Sequence, residues 1–209
     1  MEIIQGKAAL RIETLSERVA GYDGIHLDIG TGDGRYAVHV AQANPRLFVI
    51  GIDACRENLR DQSRRAPLNT LFVIANALAL PPELHGFATA VTINFPWGSL
   101  LEGLLAGDEG LLNGLEAVMC CPGAALDIRL NGGALAEAGW SLEAGGIRVR
   151  EVLADYGFNM RSSVQLTAAD LKACPTTWAK RLAFGLELDC SRRGAQSCAL
   201  TQTETVEFM

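Results

Sequence analysis

The chain has 209 residues, 49% of them hydrophobic and 20% charged, with a formal net charge of −6. That length suits one domain with a real core, and no apolar run is long enough to span a bilayer. The acidic balance argues against a protein that coats nucleic acid non-specifically, while leaving room for a local basic patch.

Taken in order, Ile3–Ile4 and Leu10–Ile12 flank QGKAA and predict a small N-terminal hairpin within residues 1–13. TLSE at Thr14–Glu17 has capping-box spacing and predicts a helix start. IHLDIG (25–30) predicts a buried strand, RYAVHVAQAN (35–44) a helix stopped by Asn44-Pro45, and LFVIGID (47–53) a second strand. CRENLRDQSRRA predicts a polar helix, followed by strands at 71–76 and 88–95. Residues 99–120 carry helical spacing, AALDIRL (124–130) predicts a strand, and the glycine pairs 132–133 and 145–146 bracket a predicted mobile loop. IRVREVLADYGF (147–158) predicts an amphipathic helix and RSSVQLT (161–167) a strand. A helix carrying Trp178 follows, then LELDC and SCALTQTE as a closing hairpin. Strands alternating with helices imply an α/β, doubly wound, mostly parallel sheet in a single domain over 1–209. The six cysteines (55, 120, 121, 174, 190, 198) form no Cys-x-x-Cys pair and have no His cluster beside them. Free thiols in a reducing cytoplasm are expected, with no metal. MEIIQGKAAL lacks the apolar region of a signal peptide.

The chemistry begins at LDIGTGDGR, with Asp28, Gly30, Thr31, Gly32, Asp33 and Gly34 at a strand exit. Glycines there let a ligand approach the backbone closely. The spacing is G-x-G-x-G, with Arg35 where a dinucleotide fingerprint has its last glycine, so a pyrophosphate is not indicated. Asp53, ending the next strand, can accept from two ribose hydroxyls. Ala75 and Asn76 end the third strand, where an adenine edge can be read. The glycine loop with an acid on each of two successive strands resembles the motifs of class I S-adenosylmethionine-dependent methyltransferases, which implies a Rossmann-like, seven-stranded sheet with an antiparallel last strand.

NFPWGSLLEG (94–103) ends the fourth predicted strand, where such enzymes present the target atom, and Pro96 fixes the direction of Trp97. The other aromatic motif is TTWAKRLAFG (176–185), joining Trp178 to Lys180 and Arg181. The two segments are expected to neighbour each other over the site. Two facing indoles can sandwich an extruded base at about 1–3 kcal/mol per stack, offsetting an unstacking cost of a few kcal/mol. A cation beside them can hold a phosphate.

DIGTGDGR, FPWGSLLEG and TTWAKRLAFG together resemble the aminoglycoside-resistance 16S rRNA (adenine(1408)-N1)-methyltransferases of the kanamycin–apramycin type. The resemblance implies S-adenosylmethionine as cofactor and methylation of an adenine N1 in the decoding site of the small ribosomal subunit; a cytoplasmic monomer is expected. It implies that Trp97 and Trp178 hold the flipped base, that Arg181 lies near the RNA, and that Ser99 and Thr176 supply hydroxyls near cofactor and target. The sequence departs from the family in RDQSRRAPLN, which stands where members carry a long Lys-rich loop, and in GLELD, which stands where members carry arginines. A patch of Arg60, Arg64, Arg65, Lys180, Arg181, Arg192 and Arg193 remains for RNA. Two alternatives stay open: a cofactor-binding homologue without ribosome activity, and a methyltransferase for a small flat heterocycle. His26 and His39 read as packing or surface residues. Trp140 and Tyr36 each admit packing or a place at the site.

Overall fold

A computed structural model describes residues 1–119, 123–184 and 201–208. Among the described residues, nine strands form one sheet in the order β2-β1-β5-β4-β3-β6-β7-β9-β8. They are β1 (Glu2–Gln5), β2 (Ala8–Arg11), β3 (Gly24–Ile29), β4 (Leu47–Asp53), β5 (Thr70–Ile74), β6 (Ala90–Asn94), β7 (Ala125–Asn131), β8 (Phe158–Gln165) and β9 (Thr201–Phe208). The strands β5-β4-β3-β6-β7 pair in parallel. Both flanks are antiparallel: β1 pairs with β2 and β5, and β9 lies between β7 and β8. The sheet is therefore mixed rather than mostly parallel.

Strand β3 is buried along its whole length, as a central parallel strand covered on both faces must be. Alternate residues of β4 feed opposite cores. Phe48, Ile50 and Ile52 join the larger cluster with α4 (Gly98–Ala106), α5 (Glu109–Val118) and α7 (Leu142–Asp155), whereas Val49 joins α2 (Arg35–Ala43) and α3 (Arg56–Ser63). Chain direction switches at β3, with β4 on one side and β6 on the other. Ligand clefts in open α/β sheets form at the carboxyl ends of strands flanking such a switch.

Several elements differ from expectation for identifiable reasons. TLSE makes no capping box: α1 (Ser16–Val19) starts after Leu15 with no side-chain cap. The 99–120 segment is two helices, because Gly107 turns left-handed (φ 78°) and the Asp108 side chain caps α5 by accepting from the Leu111 N–H. The predicted loop between the glycine pairs is helical. The Asn131 side chain caps α6 (Gly132–Glu137), and Ser141 caps α7, which begins five residues before the predicted start. Gly145 is needed there for packing rather than mobility, since a Cβ would lie 2.5 Å from Leu135. A further helix, α8 (Ala168–Ala173), is fixed by a Thr167–Asp170 capping box. Strand β9 (Thr201–Phe208) contains the second half of the predicted SCALTQTE strand, whose first half lies outside the described residues. LELDC and Arg192–Arg193 lie outside the described residues.

Candidate active site

Asp28 is the hub of the switch point. It sits inside β3 with only 1% of its surface exposed. One carboxylate oxygen accepts from the Thr92 hydroxyl (2.9 Å) and the Asn94 amide (2.8 Å), and the other accepts from the Thr31 hydroxyl (2.5 Å). Arg129 donates in turn to the side-chain amide oxygen (Oδ1) of Asn94 at 2.6 Å. Arg129 and Asn94 are register partners on β7 and β6, so sheet pairing brings the cation to the site. Asp28 thus ties the glycine loop to β6 while its own carboxylate borders the cleft above the loop.

The glycine loop is built for close approach. Gly30 has φ 69°, and a Cβ there would sit 2.7 Å from Leu100 of α4. Gly32 has φ 58° with open space where a Cβ would point. Asp53 ties this loop to the next helix, accepting from the Gly32 N–H and the Cys55 N–H, each at 2.8 Å. Ala75 donates its N–H to the Asp53 carbonyl oxygen (3.2 Å), which sets the end of β5 beside that carboxylate. Asn76 is exposed, and its side chain accepts from the Leu78 N–H, capping a 3₁₀ turn.

A cleft of about 230 Å³ opens over the loop. It is lined by Asp28, residues 30–33, Tyr36, Asn58, Asn94, Phe95 and residues 176–178. The last three open helix α9 (177–184), where Thr176 accepts from the Ala179 N–H. Thr177 donates its hydroxyl to Asp33 at 2.9 Å, joining α9 to the glycine loop. Trp97 and Trp178 face each other with ring centroids 5.4 Å apart and planes inclined by 23°. Both remain accessible, at 44% and 47% exposure. Arg181 lies over the Trp178 ring at 5.4 Å, close enough for a cation–π contact.

Phe95 holds this pair in place. It has φ 53°, a left-handed conformation disfavoured for a bulky residue and more so before proline. The surroundings enforce it. Its N–H donates to the Arg129 carbonyl oxygen at 2.8 Å, and its ring is buried with Leu171 of α8 and with Ala179 and Ala183 of α9. Backbone strain of this kind persists only where packing over-determines it.

The family model described as NpmA: 16S rRNA (adenine(1408)-N(1))-methyltransferase matches residues 2–193. The chain belongs to this family. A curated 16S rRNA (adenine(1408)-N(1))-methyltransferase from Escherichia coli is 31% identical over 207 residues, covering 88% of this chain and 93% of the relative. One from Streptoalloteichus hindustanus is 34% identical over 182 residues, covering 77% and 81%. Among solved structures, the 16S rRNA methyltransferase KamB superposes with a TM-score of 0.84 at 26% identity, covering 100% of this chain and 99% of that one. A tryptophan-to-alanine mutant of the 16S rRNA (adenine(1408)-N(1))-methyltransferase from Catenulisporales acidiphilia, solved with cosubstrate SAM, gives 0.78 at 25%, covering 100% and 96%.

Within this methyltransferase family member, Gly30, Thr31, Gly32, Asp33 and Thr176 line one cleft with Asp28, and Trp97 faces Trp178 at its mouth. Asp53 underlies the loop. Ser99 is exposed in the first turn of α4, next to Leu100. Arg60 and Arg64 are exposed on or just after α3 with Arg65 following, and Arg64 pairs with Asp61 at 3.0 Å. Lys180 and Arg181 are exposed on α9. Trp140 is a packing residue against the larger core. His26 is buried beside Thr92 (3.0 Å), and burial pushes its pKa down to about 4, so it is neutral at pH 7. Sequence reasoning missed Asn58, Asn94, Arg129 and Thr177. Thr177 and Asn94 stand inside the tryptophan motifs, but Arg129 is brought in by sheet register alone.

Burial raises the Asp28 pKa from 3.8 to about 6, against its hydrogen bonds from Thr31, Thr92 and Asn94. Between those pH values the unfolded chain loses a proton that the folded one keeps, so stability falls as pH rises through the window and is level above it. The shift corresponds to about 3 kcal/mol lost once the carboxylate ionises. Asp28→Asn keeps an acceptor for Thr92 and Asn94 and turns its amide toward Thr31. Its melting temperature is expected to exceed the parent's above pH 6 and to lose that advantage below pH 4. A difference in melting temperature independent of pH would show that Asp28 is not the titrating group.

Proposed function

We propose that the chain is an S-adenosylmethionine-dependent methyltransferase acting on N1 of the decoding-site adenine in 16S rRNA of the small ribosomal subunit. The observation that carries the reading is the pair of facing, accessible indoles at the mouth of a glycine-loop cleft, in a chain whose family bears that name.

The residues fit the cofactor. Asp53 offers a carboxylate to ribose hydroxyls, Ala75 and Asn76 stand where the adenine ring would lie, and Gly32 leaves room for the tail. When bound, S-adenosylmethionine supplies a methyl group on a positively charged sulfur. The protein's task is then positional. Adenine N1 has an in-plane lone pair and no proton to remove, so no general base is required. Trp97 and Trp178 hold the flipped base, and their faces favour the cationic ring that forms. Ser99 and Thr176 offer hydroxyls near the reacting groups. Lys180, Arg181, Arg60, Arg64 and Arg65 meet phosphates. The enzyme acts as a cytoplasmic monomer on the assembled subunit.

The test is transfer of a labelled methyl group to purified small subunits, followed by reverse transcription. A stop at the decoding-site adenine is expected. Cofactor binding without transfer to the subunit would overturn the substrate assignment. It would favour either a cofactor-binding homologue without ribosome activity or methylation of a small flat heterocycle, which the net charge of −6 does not hinder.

A further inference from the structure

A second cavity, a groove of about 480 Å³ between α2 and α8, adjoins the cleft. Tyr36 and Phe95 line both. Arg129 lies at this seam, its guanidinium carbon 5.1 Å from the centroid of the Tyr36 ring. It is partly buried, donates to Asn94, and forms no ion pair among the described residues. Cations withdrawn from water are normally paired.

The charges around it are one-sided. The cleft is lined by the carboxylates of Asp28 and Asp33, with Asp53 behind the loop. Arg35 is engaged by Asp33 at 3.3 Å. Among the described residues, Arg129 is the one lysine or arginine that lines either cavity. A ligand tail bearing an ammonium, a sulfonium and a carboxylate suits acids for its two positive charges. It needs a cation for its negative one.

We propose that Arg129 anchors the carboxylate of the cofactor's amino-acid tail at the Tyr36 seam. This rests on the S-adenosylmethionine reading above. A guanidinium is suited to the role because it presents donors in a planar fork that matches a carboxylate. Beyond the donor placed on Asn94 and a side-chain hydrogen bond to Tyr36, the five-donor fork of Arg129 has others to spare.

Calorimetric titration with S-adenosylmethionine and with its decarboxylated form, which keeps the sulfonium and the amine, tests the assignment. The wild-type chain is expected to bind the carboxylate-bearing form about 10- to 100-fold more tightly, the range for a charge-assisted hydrogen bond. Arg129→Met is expected to erase that preference while leaving affinity for the decarboxylated form within about twofold. Arg129→Lys is expected to keep part of it. Equal weakening toward both ligands would mean that Arg129 serves only to hold Asn94, and overturns the proposal. So would a wild-type chain that does not discriminate, a measurement that needs no folded variant. A wild-type chain that binds neither ligand overturns the cofactor reading and the proposal together.

Discussion

Trp178→Ala is expected to lower kcat/KM for methyl transfer to small ribosomal subunits by about 10- to 100-fold while leaving cofactor affinity within about twofold. The size follows from one base–aromatic stack, about 1–3 kcal/mol. Trp178 is 47% exposed, whereas Ala179 and Ala183 bury the face of α9 that meets Phe95 and Leu171. Truncating the indole therefore leaves the helix anchored. Trp178→Phe keeps a flat face and is expected to retain most of the activity. Trp97→Ala should resemble Trp178→Ala. Unchanged kinetics would show that Trp178 does not stack the base. Loss of cofactor binding in step with activity would show that it shapes the cleft instead.

Asp53→Ala is expected to weaken S-adenosylmethionine binding by about 100-fold or more, measured by calorimetry. The carboxylate holds two backbone N–H groups, one on the glycine loop and one at the start of α3, and hydrogen bonds to a charged acceptor contribute about 1.5–3 kcal/mol each. On the proposed cofactor placement, its removal would also deprive the ribose of an acceptor. Asp53→Asn keeps one acceptor oxygen and is expected to fall between the two. A variant that melts earlier but binds the cofactor normally would make Asp53 a purely structural tie.

Much of this was legible in the sequence, and the boundary is physical. Local signals gave the strands around Asp28 and Asp53, the glycine loop and the helix after it. They also gave both tryptophans, because proline before Trp97 and the cations after Trp178 are unusual neighbours for an indole. Long-range pairing hid the rest. Nothing near Arg129 in the chain announces that it will meet Asn94 and Tyr36; that depends on how β7 aligns with β6. The glycines at 145–146 misled, because a residue suited to mobility is also suited to tight helix packing, and only Leu135 decides between them. Helix α8 left a trace in Thr167–Asp170, whose capping is visible only once the helix is known.

The stacked tryptophans also set a threshold for admission. In the resting arrangement each indole is the other's guest, and a direct aromatic pair is worth about 0.5–1.5 kcal/mol beyond its buried area. Any flat ring must separate them first, which lowers its apparent affinity by a factor of roughly 2 to 12. The reduction is the same for a stray purine, a free nucleotide and the intended adenine. On the proposed function, what distinguishes them is attachment: a base carried on a long backbone would bring phosphates to the exposed Lys180 and Arg181, and a loose ring would bring none. The closed pair therefore raises the threshold equally for every flat ring, so any selection among rings must come from contacts outside the pair.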